Sequence, residues 1–389
     1  MSASQRGIMR EGGNMGRDPW VELEGITRRR FLARSLRFAG MLWIGHLLGG
    51  RLLGELNAQV PPERLTAFAR NVVHGGPPKD GIPPIDNPKY VSAGEADKFL
   101  GPEDVVFGMD EKGTARAYPQ IIMVWHEIVN EEISGEKLAV TYCPLTGSAI
   151  AYRGRSKVDG RPLTFGTSGN IVNSNLLMYD RQTDSRWPQI LGVAITGPNL
   201  GQELEALPLT WTTWGRWKRR YPKTLVLSKE TGYVRSYGYD PYGSYTSKRP
   251  SYYTSGGPFF PVMARSNRFP EKKVVVGVKV DHAVLALPKA EAASAGVVNF
   301  TLGGLPLVAL YDKELDAVSV FARQHGGQEL TFLRRGEEIV DAQTATTWSA
   351  GGRGMRGKLA GAQLKWVTSF DVMWFAWYAF YPETKVLVP

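Results

Sequence analysis

One spaced pattern occurs twice in this chain. Trp214-x-x-Trp217-x-x-x-Tyr221-Pro222-x-Thr224-x-x-Leu227 returns as Trp374-x-x-Trp377-x-x-x-Tyr381-Pro382-x-Thr384-x-x-Leu387, at an offset of 160 residues. Gly201-x-x-Leu204 returns at the same offset as Gly361-x-x-Leu364. Asp180-x-Gln-Thr-x-x-x-Trp187 returns as Asp341-x-Gln-Thr-x-x-x-Trp348. Weaker matches keep the order: Asp104-Val-Val-Phe-Gly108 with Lys273-Val-Val-Val-Gly277, Ala117-Tyr118-Pro119 with Ala286-Leu287-Pro288, and Tyr152-Arg153 near Phe321-Ala322-Arg323. An ordered series of this kind reads as two homologous halves, and 389 residues leave room for two units of ordinary size.

Each half is expected to be β-rich. Val105–Met109, Leu138–Cys143, Ala149–Arg153, Asn175–Tyr179 and Val193–Thr196 are short apolar or alternating runs, separated by Gly, Pro, Asn and Ser. Trp214, Trp217 and Tyr221 stand at helical spacing before Pro222, which predicts a short helix over Thr212–Arg220. Its counterpart is Phe370–Tyr381, apolar nearly all round and too short to span a membrane. Burial between the halves is the expectation for it, with a membrane-surface patch as the alternative. The fold class is mainly β (α+β): two tandem homologous β-rich repeats, each closing with a short Trp-containing helix and a final strand. The expected divisions are a leader over 1–58, an extended segment over 59–99, a first repeat over 100–232, a connector over 233–269 and a second, degenerate repeat over 270–389. The connector is rich in Tyr, Gly, Ser and Pro, and is expected to lie over the domains as an aromatic strap; lining a site is the other reading.

Charge bears on partners and on compartment. Residues 1–58 hold nine Arg, no Lys and five acids, so +4 of the net +10 sits there. The mild remaining excess is spread along the chain with no basic cluster, which argues against nucleic acid as a partner. Thr27-Arg28-Arg29-Arg30-Phe31-Leu32, then the apolar stretch Phe38–Leu48 and Ala58, has the order of a twin-arginine export signal. The expected location is periplasmic or extracellular, with membrane attachment only through the leader if it stays uncleaved. The one cysteine, Cys143, excludes an internal disulfide and a multi-cysteine cluster.

Repetition supplies an internal control: features in both halves serve the fold, and features in one half are candidates for function. Asp180, Gln182, Thr183, Trp187, Trp214 and Trp217 all have counterparts and read as structural, with Asp180 capping a turn. The first half alone has Trp125-His126-Glu127, Tyr142-Cys143-Pro144-Leu-Thr146-Gly147-Ser148 and Phe165-Gly166-Thr-Ser168-Gly169-Asn170-x-x-Asn173-Ser174-Asn175. Opposite Cys143 the second half offers Tyr311 or Asp312, and opposite the Asn/Ser run Arg335-Gly-Glu-Glu-Ile-Val.

A thiolate beside an imidazolium is a nucleophile, and a thiolate with an imidazole suits copper or zinc. His126, Glu127 and Cys143 are therefore the candidate catalytic residues, and His126 with Cys143 the candidate metal ligands. Copper is favoured over zinc by an oxidising compartment, and a further ligand would come from Glu127, Met178, an Asn or water. Glu127 follows His126 directly, so on a strand it points to the other face and is expected to serve as a separate acid or a salt-bridge partner rather than to orient that His. Asn170, Asn173, Ser174, Asn175, Tyr142 and Arg116 are candidate substrate-binding residues, with the Asn173–Asn175 run as oxyanion support. A small-molecule or metal site thus stands beside a rival reading, a non-enzymatic ligand-binding or scaffold module of the cell envelope.

These residues also carry a resemblance. Ala115-Arg116-Ala117-Tyr118-Pro119, Trp125-His126-Glu127-Ile-Val-Asn130, Thr141-Tyr142-Cys143-Pro144-Leu145, Phe165-Gly166-Thr-Ser-Gly169 and Asn173-Ser-Asn175-Leu-Leu-Met178-Tyr179-Asp180-Arg181 resemble the domain of unknown function 3179 family of bacterial and archaeal proteins. The likeness runs from about residue 80 to the C-terminus and implies no particular activity. Similar members often carry Cys-Pro-Leu-Cys; here the second position is Thr146, so the dithiol chemistry that motif implies is excluded within one molecule.

Overall fold

A computed structural model describes residues 60–246 and 249–389, and the architecture is mainly β. The leader lies outside the described residues, so the export reading has no structural counterpart here. Among the described residues no helix is long and apolar enough to cross a membrane.

The two halves are built alike. In the first, Val105–Glu111 and Thr114–Pro119 form a hairpin, flanked by antiparallel Thr210–Thr213 on one side and parallel Leu225–Leu227 on the other. In the second, Val274–Val280 and Ala283–Pro288 form the hairpin, flanked by antiparallel Ser369–Met373 and parallel Lys385–Val386. A second sheet follows in each: Ile128–Ile133, Glu136–Cys143 and Ser148–Arg153, against Val297–Leu302, Leu305–Asp312 and Ala317–Ala322. A third is built on Phe165–Val172 with Asn175–Asp180, and on Phe332–Arg335 with Glu338–Asp341.

The shared motifs make the same contacts twice. The Trp217 and Trp377 indole N–H groups donate to Thr224 Oγ1 (3.0 Å) and Thr384 Oγ1 (2.8 Å). Both rings lie on a strand glycine, Gly108 or Gly277, where a methyl group would collide with them. Asp180 caps its turn through the Thr183 amide (2.7 Å) and takes the Trp187 N–H (2.9 Å). Asp341 does the same with the Thr344 amide (2.6 Å) and Trp348 (2.9 Å). Satisfying a buried carboxylate with several donors is what lets it sit in the core.

Three expectations change. Val193–Thr196 is not a strand; it makes only single bridges, Val193 to Glu203 and Thr196 to Arg186, between glycines with positive φ at 192 and 197. The tryptophan helices are shorter than the apolar runs, Trp214–Arg220 and Trp374–Phe380, because residues before them pair as strands. The segment 59–99 carries the helix Pro62–Arg70 rather than being extended throughout.

The Trp374–Phe380 helix is buried, as its all-round apolarity demands. It joins a core cluster containing Phe68 from the N-terminal segment, Cys143 and Leu176 from the first half and Val275, Phe370 and Trp377 from the second. The second half therefore packs directly around the segment that bears Cys143. The Met373 amide donates to the Thr146 carbonyl at 3.0 Å, and the Asn173 side-chain amide donates to the Ala379 carbonyl at 3.1 Å.

Candidate functional site

Cys143 ends its strand opposite Ser148, and Pro144–Gly147 make the turn between them. Gly147 holds φ +54° against the Met373 side chain, a conformation that costs glycine nothing. Beneath the turn lies a fully buried polar set. Thr146 Oγ1 and Ser148 Oγ share a hydrogen bond (2.9 Å), Ser148 donates to Gln189 Oε1 (2.7 Å), and Gln189 donates to Thr141 Oγ1 (3.1 Å). Cys143 Sγ accepts the Leu176 amide at 3.3 Å. Burial pushes the thiol up to about 11 and the charge of nearby Glu127 adds to this, against hydrogen bonds from Thr146 and the Leu176 amide. At neutral pH Cys143 is a thiol, not a thiolate.

His126 and Glu127 follow the short helix Gln120–Met123. Glu127 has φ +58°, unusual for a residue with a side chain, and its amide donates to the Met123 carbonyl at 2.7 Å. The tight turn sends the two side chains into different surroundings. His126 Nδ1 lies 2.7 Å from the Pro83 carbonyl and Nε2 lies 2.7 Å from the Tyr237 hydroxyl. Nδ1 must donate to the carbonyl, so in the neutral ring Nε2 accepts from Tyr237. Burial lowers the His126 pKa, opposed by the Pro83 hydrogen bond, while the charge of Arg235 lowers it further.

The Glu127 carboxyl is buried and, among the described residues, makes no hydrogen bond or ion pair. Burial alone pushes its pKa up to about 8.

This corrects the expected pairing. His126 has both ring nitrogens engaged away from Cys143, while Glu127 shares the thiol's electrostatic surroundings. His126 is thus hydrogen-bonded to Pro83 and Tyr237 rather than to Cys143. Among the described residues no group of three or more His, Cys, Asp or Glu is placed to hold a metal ion.

The asparagine run is also committed elsewhere. Asn175 gives its amide to Thr146 Oγ1 (3.1 Å) and Gln189 Oε1 (3.0 Å) and accepts the Ile190 amide (3.0 Å). Besides binding the Ala379 carbonyl, Asn173 accepts the Met263 amide at 2.8 Å. Asn175 thereby ties Thr146 of the Cys143 turn to Gln189 with both of its side-chain N–H groups, while Asn173 bridges to the second half and the connector. Asn170 is half-buried and pairs with His74 on the neighbouring strand. The Ser174 hydroxyl is buried at φ +58° and faces Tyr252.

The connector supplies what sequence reasoning did not assign. Tyr245 and Tyr253 stack at 3.7 Å between centroids, and Tyr242 meets Tyr252 edge-on at 5.8 Å. The Tyr252 hydroxyl donates to the Leu145 carbonyl at 2.6 Å, directly on the Cys143 turn. The Tyr142 hydroxyl, fully buried, shares a hydrogen bond with Tyr245 (2.9 Å) and donates to Tyr253 (3.3 Å). Burial holds the Tyr242 hydroxyl above its ordinary range, and the charges of Glu127 and Cys143 raise it further. Among the described residues that hydroxyl makes no hydrogen bond. The connector thus reaches the Cys143 turn, and tyrosine density between the halves was the only sequence signal of it. Arg116 lies elsewhere, beside Glu131.

A family described as "Protein of unknown function (DUF3179)" matches residues 79–384. No curated protein and no solved structure matches the chain.

Proposed function

The chain belongs to the DUF3179 family, and from that premise we propose that it is an exported protein binding a small molecule between the Cys143 turn and the tyrosine-rich connector. Glu127 exchanges a proton with the bound molecule, and Cys143 is the neutral thiol beside it. One observation carries this reading: Glu127 is a buried residue whose carboxyl makes no hydrogen bond or ion pair among the described residues, and burial pushes its pKa up to about 8. A structural carboxyl in a core is paired, as Asp180 is in this chain. A group left unpaired at working pH, beside a thiol and a free tyrosine hydroxyl, is poised for acid–base exchange with a ligand.

The thiol is the reporter for this site. Alkylation of wild-type Cys143 by iodoacetamide is expected to be slow at pH 7 and to rise steeply only in alkali. Glu127→Gln removes the charge that raises the thiol's pKa, so its alkylation at pH 9 to 10 is expected to be faster than wild type's. A library of small amines and alcohols is then scored by protection of Cys143, with hits expected to lose protection in Glu127→Gln. Wild-type alkylation at the rate of an unfolded thiol at pH 7, or identical profiles for the two proteins, would overturn the reading.

Export rests on Arg28-Arg29 and the apolar stretch after them. Replacing both arginines by lysine is expected to hold the protein in the cytoplasm. Unchanged export, measured by cell fractionation, would refute the twin-arginine route.

A further inference from the structure

A buried charge cluster lies away from Cys143. Arg116 Nε donates to Glu131 Oε1 at 3.2 Å, and the Tyr118 hydroxyl donates to Glu131 Oε2. The Arg116 guanidinium sits over the Tyr90 ring, 4.6 Å from its centroid. The Glu131 side chain is 2% exposed and that of Arg116 16%. The Tyr90 hydroxyl is buried and faces Glu131 and Tyr118. Burying an ion pair seldom stabilises a fold more than an apolar set of similar volume, so its presence needs another reason.

The second half shows that the fold does not require it. Asn130 exchanges two hydrogen bonds with the backbone of Phe165, both at 2.8 Å. Asn299 does the same with Phe332 at 2.8 and 2.9 Å. The next residue is Glu131 in one half and Phe300 in the other. On the neighbouring hairpin, Arg116 pairs in parallel with Leu225 and Leu285 pairs in parallel with Lys385. Two residues on, Tyr118 corresponds to Leu287. Arg116, Tyr118 and Glu131 thus occupy positions where the same sheets carry Leu285, Leu287 and Phe300.

A cavity of about 630 Å³ opens beside this cluster. Its basic lining side chains are Lys89, Arg116, Lys137 and Arg181, against Asp86, Glu131 and Glu132. Asp86 is held by Arg181 at 2.6 Å, and Glu132 by Lys137 at 3.4 Å. Arg116 spends Nε on Glu131, and among the described residues its two terminal nitrogens make no hydrogen bond. A guanidinium fixed at one edge and open at the other matches a planar or tetrahedral oxyanion in two-pronged fashion.

We propose that this cavity binds a small molecule through an oxyanion group, a carboxylate or a phosphate, gripped by the terminal nitrogens of Arg116. The basic side chains of the cavity outnumber its acids by four to three, which favours a negative charge there. No residue of this cavity belongs to the Glu127–Cys143 site, so the two readings stand or fall separately.

The test is calorimetric titration of the full chain at low ionic strength with sodium succinate and, separately, inorganic phosphate; sodium chloride is the control. One of the two is expected to bind with a Kd of about 1 mM or tighter, and which one tells carboxylate from phosphate. Arg116→Lys keeps the charge and loses the fork, and is expected to weaken binding about tenfold. The triple variant Arg116→Leu, Tyr118→Leu, Glu131→Phe copies the second half and is expected to fold and to bind neither anion. Absence of binding by wild type at roughly 10 mM of either anion, equal binding of chloride, or an unchanged affinity in Arg116→Lys would overturn the proposal.

Discussion

Glu127→Gln is expected to stabilise the protein above pH 8 by about 5 kcal/mol and to change little near pH 4. The usual carboxyl value is 4.5 and burial takes Glu127 to about 8. Between those values the folded chain holds a proton that the unfolded chain has released. Stability contributed by the neutral carboxyl is therefore fully present below about pH 4.5. It is lost as pH rises towards 8, at roughly 1.4 kcal/mol per pH unit. Glutamine keeps the shape of the neutral acid and never ionises, so the variant should not show that slope. Urea unfolding of both proteins at pH 5, 7 and 9 measures it. Parallel curves across that range would mean that Glu127 is solvated or paired in the folded protein. The gain is also informative for function: a residue whose replacement stabilises the fold is retained for something other than folding.

The second large effect concerns two glycines. Gly108→Ala and Gly277→Ala are each expected to cost about 3 kcal/mol or more, at or beyond the upper end of ordinary overpacking. A Cβ at Gly108 would lie 2.3 Å from the Trp217 ring, and one at Gly277 would lie 2.2 Å from the Trp377 ring. Neither ring can retreat, because each is buried and tied through its N–H to a threonine. Gly94 is the control: it sits in the short helix Ala93–Ala96 with open space around its Cα. Gly94→Ala should be neutral or stabilising by up to about 1 kcal/mol. Denaturant midpoints of the three variants test this, and a Gly277→Ala midpoint equal to wild type's would show that the wedge is not tightly packed.

The repeated residues that read as structural in the sequence make structural contacts. Asp180 and Asp341 sit in matching networks, and the tryptophans of each closing helix lie on matching glycines. The candidate site was legible only in part. Cys143 and Glu127 lie in one electrostatic environment, while His126, Asn173 and Asn175 turn to structural bonds. Placing Glu127 on a strand, on the face opposite His126, missed the positive φ that turns the chain there. Tyr242, Tyr245 and Tyr252 went unassigned as site residues because they lie about a hundred positions from Cys143 and follow no periodic pattern.

By itself, then, the sequence determined the β-rich halves, their order, the caps and the tryptophan wedges. Those features depend on contacts between residues a few positions apart or on adjacent strands, and such contacts leave a fixed spacing in the chain. Tertiary structure decided which side chains meet at Cys143 and which half holds the turn. Those outcomes depend on a single residue's backbone angle at Glu127 and on where a long connector comes to rest. Neither is written in local spacing, because closing a long loop costs little more entropy at one landing place than another, and burial of its aromatic rings makes the choice.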